Sequence, residues 1–499
     1  MIHSLKEQIR KLNQIGIALS SETHLPSLLD LIVREVRNFT RADAGSLYIK
    51  AGNQLRFEVA QNDTLASRNN VLPEAFRPFP IPLDTSSIAG YVAINGTLLN
   101  IPDAYKLSGK EEYRFNPTFD ERNNYRTRSM LTVPMRDHEN EIIGVLQLIN
   151  SLDSHGRVTV FEPEQEELVA SLASQAAVAI RNAKLIRAIH DVFAALVRYS
   201  ASAIDARSPH TAGHSRRVAT YCLRLARAVN QESEGPLADV YFNKQEMEEL
   251  HYAAWLHDIG KIGVREEVLE RVDRLSPAAL DLIVSRFEAI KLARIREVER
   301  QHHHELEQQA VRAEVDRVVA EVEEDLRFIR HINCCRSISP EQAARILAIG
   351  KKTYRDARGQ QNPYLTEEEV HHLTVAEGNL TTEEYQEIQN HVLHTLNIIN
   401  KIPFTRDLER IPLIAAAHHE KLDGSGYPLG LKAPDIMIQA RILGLADMYD
   451  ALTATDRPYR GAMRAEEAIK LLEEEAAKGK LDADLVDLFV RRKLYEGVS

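Results

Sequence analysis

Apolar positions change period several times along this chain. Leu25, Leu29, Ile32 and Val36 recur at threes and fours, which predicts an amphipathic helix. Ser46-Leu47-Tyr48-Ile49 then reads as a strand, and Leu55-Arg56-Phe57-Glu58-Val59-Ala60 alternates as a half-buried strand does. Ser129 to Pro134 and Ile142 to Asn150 complete a sheet. From 162 to 205 the helical period runs on without a loop, with Leu185, Ile189, Val192 and Leu196 along one side. Such a seam suits a partner helix and hence a dimer; the plainer reading is a helix packed on its own domain. Beyond 205 the pattern is helical. Val311, Val315, Val318, Val322, Leu326 and Ile329 keep helical spacing within a highly charged run, which predicts an inserted hairpin or coiled coil at about 285–375. The expected organisation is α+β overall: an α/β domain over 1–161, a connecting helix over 162–205, and an all-α bundle with a helical insertion over 206–499.

Composition narrows the function. A formal net charge of −11 argues against a nucleic-acid polymer as partner. It leaves room for a small anionic ligand, because metal ions and a few basic side chains set the local field. No apolar run reaches membrane-spanning length, and no secretory signal opens the sequence. Cys222, Cys334 and Cys335 form neither a disulfide framework nor a spaced metal motif, so the expected compartment is the cytoplasm.

The chemistry concentrates in a few strings. His418-His419 is an awkward pair for an apolar core, since each buried ring nitrogen needs a partner. Two such imidazoles suit a metal cluster. Asp423-Gly424-Ser425-Gly426-Tyr427-Pro428 follows as a tight loop. His257-Asp258 offers an imidazole and a carboxylate able to bridge two cations, and Lys261 is a point charge suited to a phosphate oxygen. His214, His391 and Asp447 are further candidates, and a mixed imidazole and carboxylate set fits Fe, Mn or Zn better than Ca or Mg. Plainer readings exist: Lys261 as a helix-terminal cation, Asp450 as a local cap or partner, and His302-His303-His304 as a solvated helix face.

His-Asp-x-Gly-Lys, His-His-Glu-x-x-Asp-Gly-x-Gly-Tyr-Pro and Ala-Asp-x-x-Asp-Ala-Leu-Thr with Asp-Arg-Pro-Tyr-Arg occur in that order. Over roughly 190–265 and 375–480 the chain resembles the HD-GYP family of cyclic di-GMP phosphodiesterases. The resemblance implies an HD-type helical bundle with His214, His257, Asp258, His391, His418, His419 and Asp447 as metal ligands. Lys261, Arg457 and Arg460 would contact substrate phosphates, with a structural salt bridge as the plainer role of the arginines. Asp423, Gly426, Tyr427 and Pro428 match the family's loop. The third-metal position, a glutamate in trinuclear members, is His210, so two ions are expected, or three if His210 joins, as Fe or Mn. Family members cross from Asp258 to the His391 position in a few tens of residues; the longer span here marks the insertion, which could pack on the N-terminal domain, lengthen a stalk or cover the site.

Leu99 to Tyr105, Tyr125 to Ser129 and Gly144 to Asn150 resemble a GAF sensory domain, closest to those of cyclic-nucleotide phosphodiesterases and cyclases. That subgroup carries Asn-Lys, Phe and Asp-Glu where this chain has Asn150-Ser151, Phe161 and Gln165-Glu166. Both halves of an ion pair are replaced together, so cyclic-nucleotide binding is expected to be weak and the ligand stays unknown; dimerisation alone is the competing role. The combined expectation is metal-assisted hydrolysis of cyclic di-GMP to pGpG, GMP or both, with Asp258 bridging the ions, Lys261 assisting, and the GAF domain acting through a homodimer. The alternatives are a phosphohydrolase for another cyclic dinucleotide and an idle receptor.

Overall fold

The computed structural model describes residues 2–69, 79–207, 213–301, 308–454 and 463–498. His210, His302 to His304, Arg457 and Arg460 lie outside the described residues. Two compact units divide the chain between Phe193 and Ala194.

In the first unit, strands β1 (Ala42–Ala51), β2 (Gln54–Asn62), β3 (Phe79–Pro82), β4 (Leu99–Ile101), β5 (Met130–Arg136), β6 (Ile142–Leu152) and β7 (Val158–Thr159) form one sheet. Its order is β3-β2-β1-β6-β5-β4, with β7 on the free end of β6, and every pairing is antiparallel. Leu47 faces Leu146, which faces Val133 on the next strand, so one apolar row crosses three strands. Against that row pack helices α1 (Ile2–Ser21), α2 (Leu25–Thr40) and the start of α3 (Pro163–Arg207), through Leu19, Leu28, Ile32, Val36, Leu172 and Ile180. The alternating strands and the 3.6-period helix thus meet in one core. A smaller cluster of Leu55, Ala89, Val92 and Val145 forms a second core group.

The second unit is a helical bundle. Its first helices are α4 (His214–Val229) and α5 (Lys244–Leu256), then α6 (Pro277–Gln301), α7 (Gln308–Cys334), α8 (Pro340–Gly350) and α9 (Glu367–Leu373). It continues through α10 (Thr382–Gln389), α11 (His391–Ile399), α12 (Ile411–Ala416) and α13 (Ile438–Thr453). The insertion is a sub-bundle with its own core. Phe287 and Ile290 of α6 meet Val322, Ile329 and Ile332 of α7, and Ile346 of α8 joins them. This core starts at Leu275, before the boundary that the charge pattern marked, because Leu275 and Ile283 belong to the same buried face. The fully buried Arg274 closes its neck, donating to the carbonyls of Cys335, Arg336 and Val375. Both ends of the insertion therefore meet at one residue. No helix of the described residues is long and apolar enough to cross a membrane.

Candidate metal centre

The ends of helices deliver most of the predicted ligands. An Asn243/Glu246 capping box starts α5, which stops at Leu256, leaving His257 as its C-cap. A 3-10 turn over Ile259–Gly263 follows, so the α-helix does not continue through Gly260. In that tighter turn residues three apart eclipse, and Lys261 lands over Asp258 with Nζ 2.6 Å from Oδ2. Gly260 lets the turn lie against α11: a Cβ there would sit 2.0 Å from the His391 carbonyl oxygen. Thr395 of α11 locks the contact, donating to the His257 carbonyl at 2.8 Å and accepting from Gly260 N at 2.9 Å. His214 and His391 each open a helix, and His418-His419 follow the end of α12. Asp447 alone stands within a helix, α13.

These seven side chains converge. His214, His257 and Asp258 form one group and His391, His418 and His419 another, each with its ligand atoms within 4.8 Å of one another. Asp258 spans them: Oδ2 lies 3.4 Å from both His214 Nε2 and His257 Nε2, while Oδ1 lies 3.4 Å from His391 Nε2. Asp447 does likewise, with Oδ1 3.2 Å from His214 Nε2 and Oδ2 3.9 Å from His419 Nδ1.

Backbone carbonyls fix the tautomers of three rings. Nδ1 of His257, His391 and His418 donates to the carbonyl three residues earlier, at 2.8, 2.6 and 2.6 Å. A carbonyl can only accept, so Nδ1 carries a hydrogen in each ring and Nε2 is the nitrogen turned to the centre. The Nε2 atoms of His391 and His418 are buried without a hydrogen-bond partner, and those of His214 and His257 face each other at 3.3 Å. Two nitrogens each about 2.1 Å from one ion sit about 3–3.4 Å apart. Orphaned buried nitrogens and closely facing imidazole nitrogens are what divalent ions would resolve, and the residues fit such ions.

Electrostatics agrees. Burial would raise Asp258, but Lys261 and His257 hold it well below the usual carboxylate range. Burial would likewise raise Asp447, and bonds from His214 and His257 outweigh it. Burial pushes His419 down to about 4, leaving a neutral ligand. His257 is the reverse: burial alone would lower it, yet Asp258 and Asp447 raise it to about 9.

The loop after the histidine pair is held from below. Glu420, buried, accepts from Leu429 N at 2.7 Å and Leu431 N at 2.8 Å. Gly426 permits this fold-back, since a Cβ would meet Lys421 N at 2.3 Å. Tyr427 lies on the His419 ring, centroids 4.7 Å apart, and Pro428 leads into the Glu420 contact. Asp423 accepts from Ser425 N and Oγ, shaping the loop itself. Burial raises the Tyr427 phenol, which stays a donor at neutral pH.

Sequence reasoning missed Thr395, Glu420 and Arg217, and it placed Asp450 wrongly. Asp450 does not pair locally. It accepts from His214 Nδ1 at 2.8 Å and from Arg217 Nε at 2.8 Å, each more than 200 positions away. The available signal was spacing: Arg217 follows His214, and Asp450 follows Asp447, by three residues on one helix face.

Profiles described as HD domain match residues 211–330 and 367–485, and one described as GAF domain matches 24–180. The chain carries a GAF domain followed by an HD domain. Over part of its length the chain is similar to three proteins of Vibrio cholerae. One, "3'3'-cGAMP-specific phosphodiesterase 3", is 42% identical over 97 residues, 19% of this chain and 20% of that protein. "3'3'-cGAMP-specific phosphodiesterase 1" is 37% identical over 126 residues, 25% of this chain and 28% of that protein. "Probable cyclic di-GMP phosphodiesterase" is 39% identical over 118 residues, 23% of this chain and 26% of that protein. The chain thus spans between 20% and 28% of the length of these relatives.

The GAF domain holds a cavity of about 310 Å³ with Tyr48, Phe57, Phe79, Phe115, Phe119 and Tyr125 among its walls. Ser151 and Gln165 do not line it. Both donate to the Thr40 carbonyl, at 3.4 and 3.2 Å, so two neutral bonds replace the subgroup's ion pair.

Three outcomes are expected. At pH 7 the metal-free chain holds a proton on His257 that an incoming ion must displace, so metal affinity should rise with pH up to about 9. Chelator competition at pH 6.5 and pH 8 checks this, and equal affinities would contradict it; His418→Ala should lose metal in the same assay. Calorimetry on the full chain should give no submicromolar affinity for cyclic AMP or cyclic GMP; such an affinity would show that the missing ion pair is dispensable.

Proposed function

We propose that the HD domain hydrolyses a cyclic dinucleotide, with cyclic di-GMP as substrate and pGpG, GMP or both as products. The observation that carries this is Asp258, one carboxylate presenting an oxygen to each histidine group. Two ions of Fe or Mn held on either side would neutralise charge on a phosphodiester and activate water. The chain's own residues do the rest. Lys261 stands at the edge of the cluster, positioned for a nonbridging phosphate oxygen once metal has neutralised Asp258. Tyr427 offers a phenol donor beside His419. Arg457 and Arg460 complete the phosphate grip in this reading.

Two of the similar Vibrio proteins carry cGAMP in their names and one cyclic di-GMP. The 3',3'-cyclic GMP-AMP dinucleotide is therefore the second substrate to test. The free cysteines accord with a reducing, cytoplasmic setting.

The GAF domain would act on the HD domain through α3. Along it, Leu185, Ile189, Val192, Leu196 and Tyr199 are spaced four, three, four and three residues apart, and each is more than half exposed. That is the 3.5-residue period of a two-stranded coiled coil, and a second copy of this helix is the matching partner.

Iron- or manganese-loaded protein should turn over cyclic di-GMP. Turnover of only the GMP-AMP dinucleotide would reassign the substrate, and binding without turnover of either would leave a receptor. Lys261→Ala should keep its metal and lose about 10²–10³-fold in turnover, as removal of one charge-assisted contact to a transition state does. Joint loss of metal and turnover would make Lys261 a support of Asp258. Ile189→Asp with Leu196→Asp should sediment as a monomer while the parent sediments as a dimer; an unchanged state would place the dimer contact elsewhere.

A further inference from the structure

The two halves of the centre differ in what stands behind them. Asp450 is 1% exposed and backs His214 with a carboxylate, 2.8 Å from Nδ1. Arg217 grips that carboxylate with two donors, Nε at 2.8 Å and Nη2 at 3.0 Å. His257, His391 and His418 have only a neutral carbonyl behind them. A carboxylate partner makes an imidazole a stronger donor and fixes its orientation more firmly. The first group also gathers more negative charge, since Asp258 Oδ2 and Asp447 Oδ1 both face it at 3.2–3.6 Å. In the second, Asp258 Oδ1 lies 3.4 Å from His391 Nε2 and Asp447 Oδ2 3.9 Å from the His419 ring. Access differs too. The difference lies in His419, whose side chain is 26% exposed; those of His214, His257 and His391 are 6%, 0% and 2% exposed, and His418 is buried.

We infer that the metal positions are unequal by design: the Arg217–Asp450 pair makes the His214/His257/Asp447 position the retained one, and the His391/His418/His419 position is exchangeable. Arg217 and Asp450 are positioning residues: Asp450 holds the ligand His214, and Arg217 holds Asp450. The inference rests on the metal-centre reading above. It extends it, because activity would then follow how fully the exchangeable position is filled, and supply of the divalent ion would regulate the enzyme.

The test is metal release from the full chain loaded with Mn(II), followed by electron paramagnetic resonance and metal content during challenge with a chelator. Two equivalents should leave in two phases. His418→Ala should abolish the fast phase and keep the slow one. Asp450→Asn should weaken the slow phase by about 10–100-fold, the usual effect of removing such a backing group, and spare the fast phase. Arg217→Met, which leaves the carboxylate in place, should act in the same direction by less, with Arg217→Lys between. Thermal melts of the metal-free variants separate misfolding from lost affinity. Wild-type protein that binds no metal would overturn the metal-centre reading itself. Two bound equivalents that leave in one phase, or an Asp450→Asn effect confined to the fast phase or equal on both, would overturn the inequality alone.

Discussion

A single buried anion organises the HD domain. Asp258 is 5% exposed and lies between two groups of imidazoles. Removing a carboxylate from water costs on the order of several kcal/mol unless charge and hydrogen bonds replace the lost hydration. His214, His257, His391 and Lys261 are placed to do so, and divalent ions between them would do it better. They come from three stretches of chain, so the demand of one side chain fixes the relative positions of α4, the turn after α5, and α11.

Precision follows from how the ligands are mounted. Most sit at helix ends, where the backbone has unspent carbonyls and the chain can change direction. The same carbonyls orient the histidine rings, so the helix terminus both places a ligand and selects its tautomer. Gly260 and Thr395 then hold the turn against α11 at backbone contact distance. A large insertion is tolerated because its own core is closed and its two ends meet at Arg274, outside this scaffold.

The division of labour between units has a physical basis. The GAF domain keeps a cavity walled largely by aromatic side chains, the kind of lining small-molecule sites use. The HD domain instead spends buried polar groups on a fixed cluster. Helix α3 belongs to both units by sequence, and its exposed 3.5-residue stripe straddles the division at Phe193.

Local pattern alone determined the strands at 46–49, 55–60, 129–134 and 142–150, the helix from 25 and the long helix after 162, because burial of one face imposes its period on the sequence. The residue types of His257-Asp258, His391, His418-His419 and Asp447 likewise marked a metal site, since few other environments tolerate them together. Tertiary structure decided what no local period encodes. It paired Asp450 with His214 and Arg217 across more than 200 positions, gave Thr395 and Glu420 their tasks, and split the ligands into two groups around Asp258. It also turned Lys261 onto Asp258 through a 3-10 turn. A hydrogen bond between side chains distant in sequence leaves no periodic trace, because each partner is chosen by where the backbone brings it and not by its neighbours in the chain.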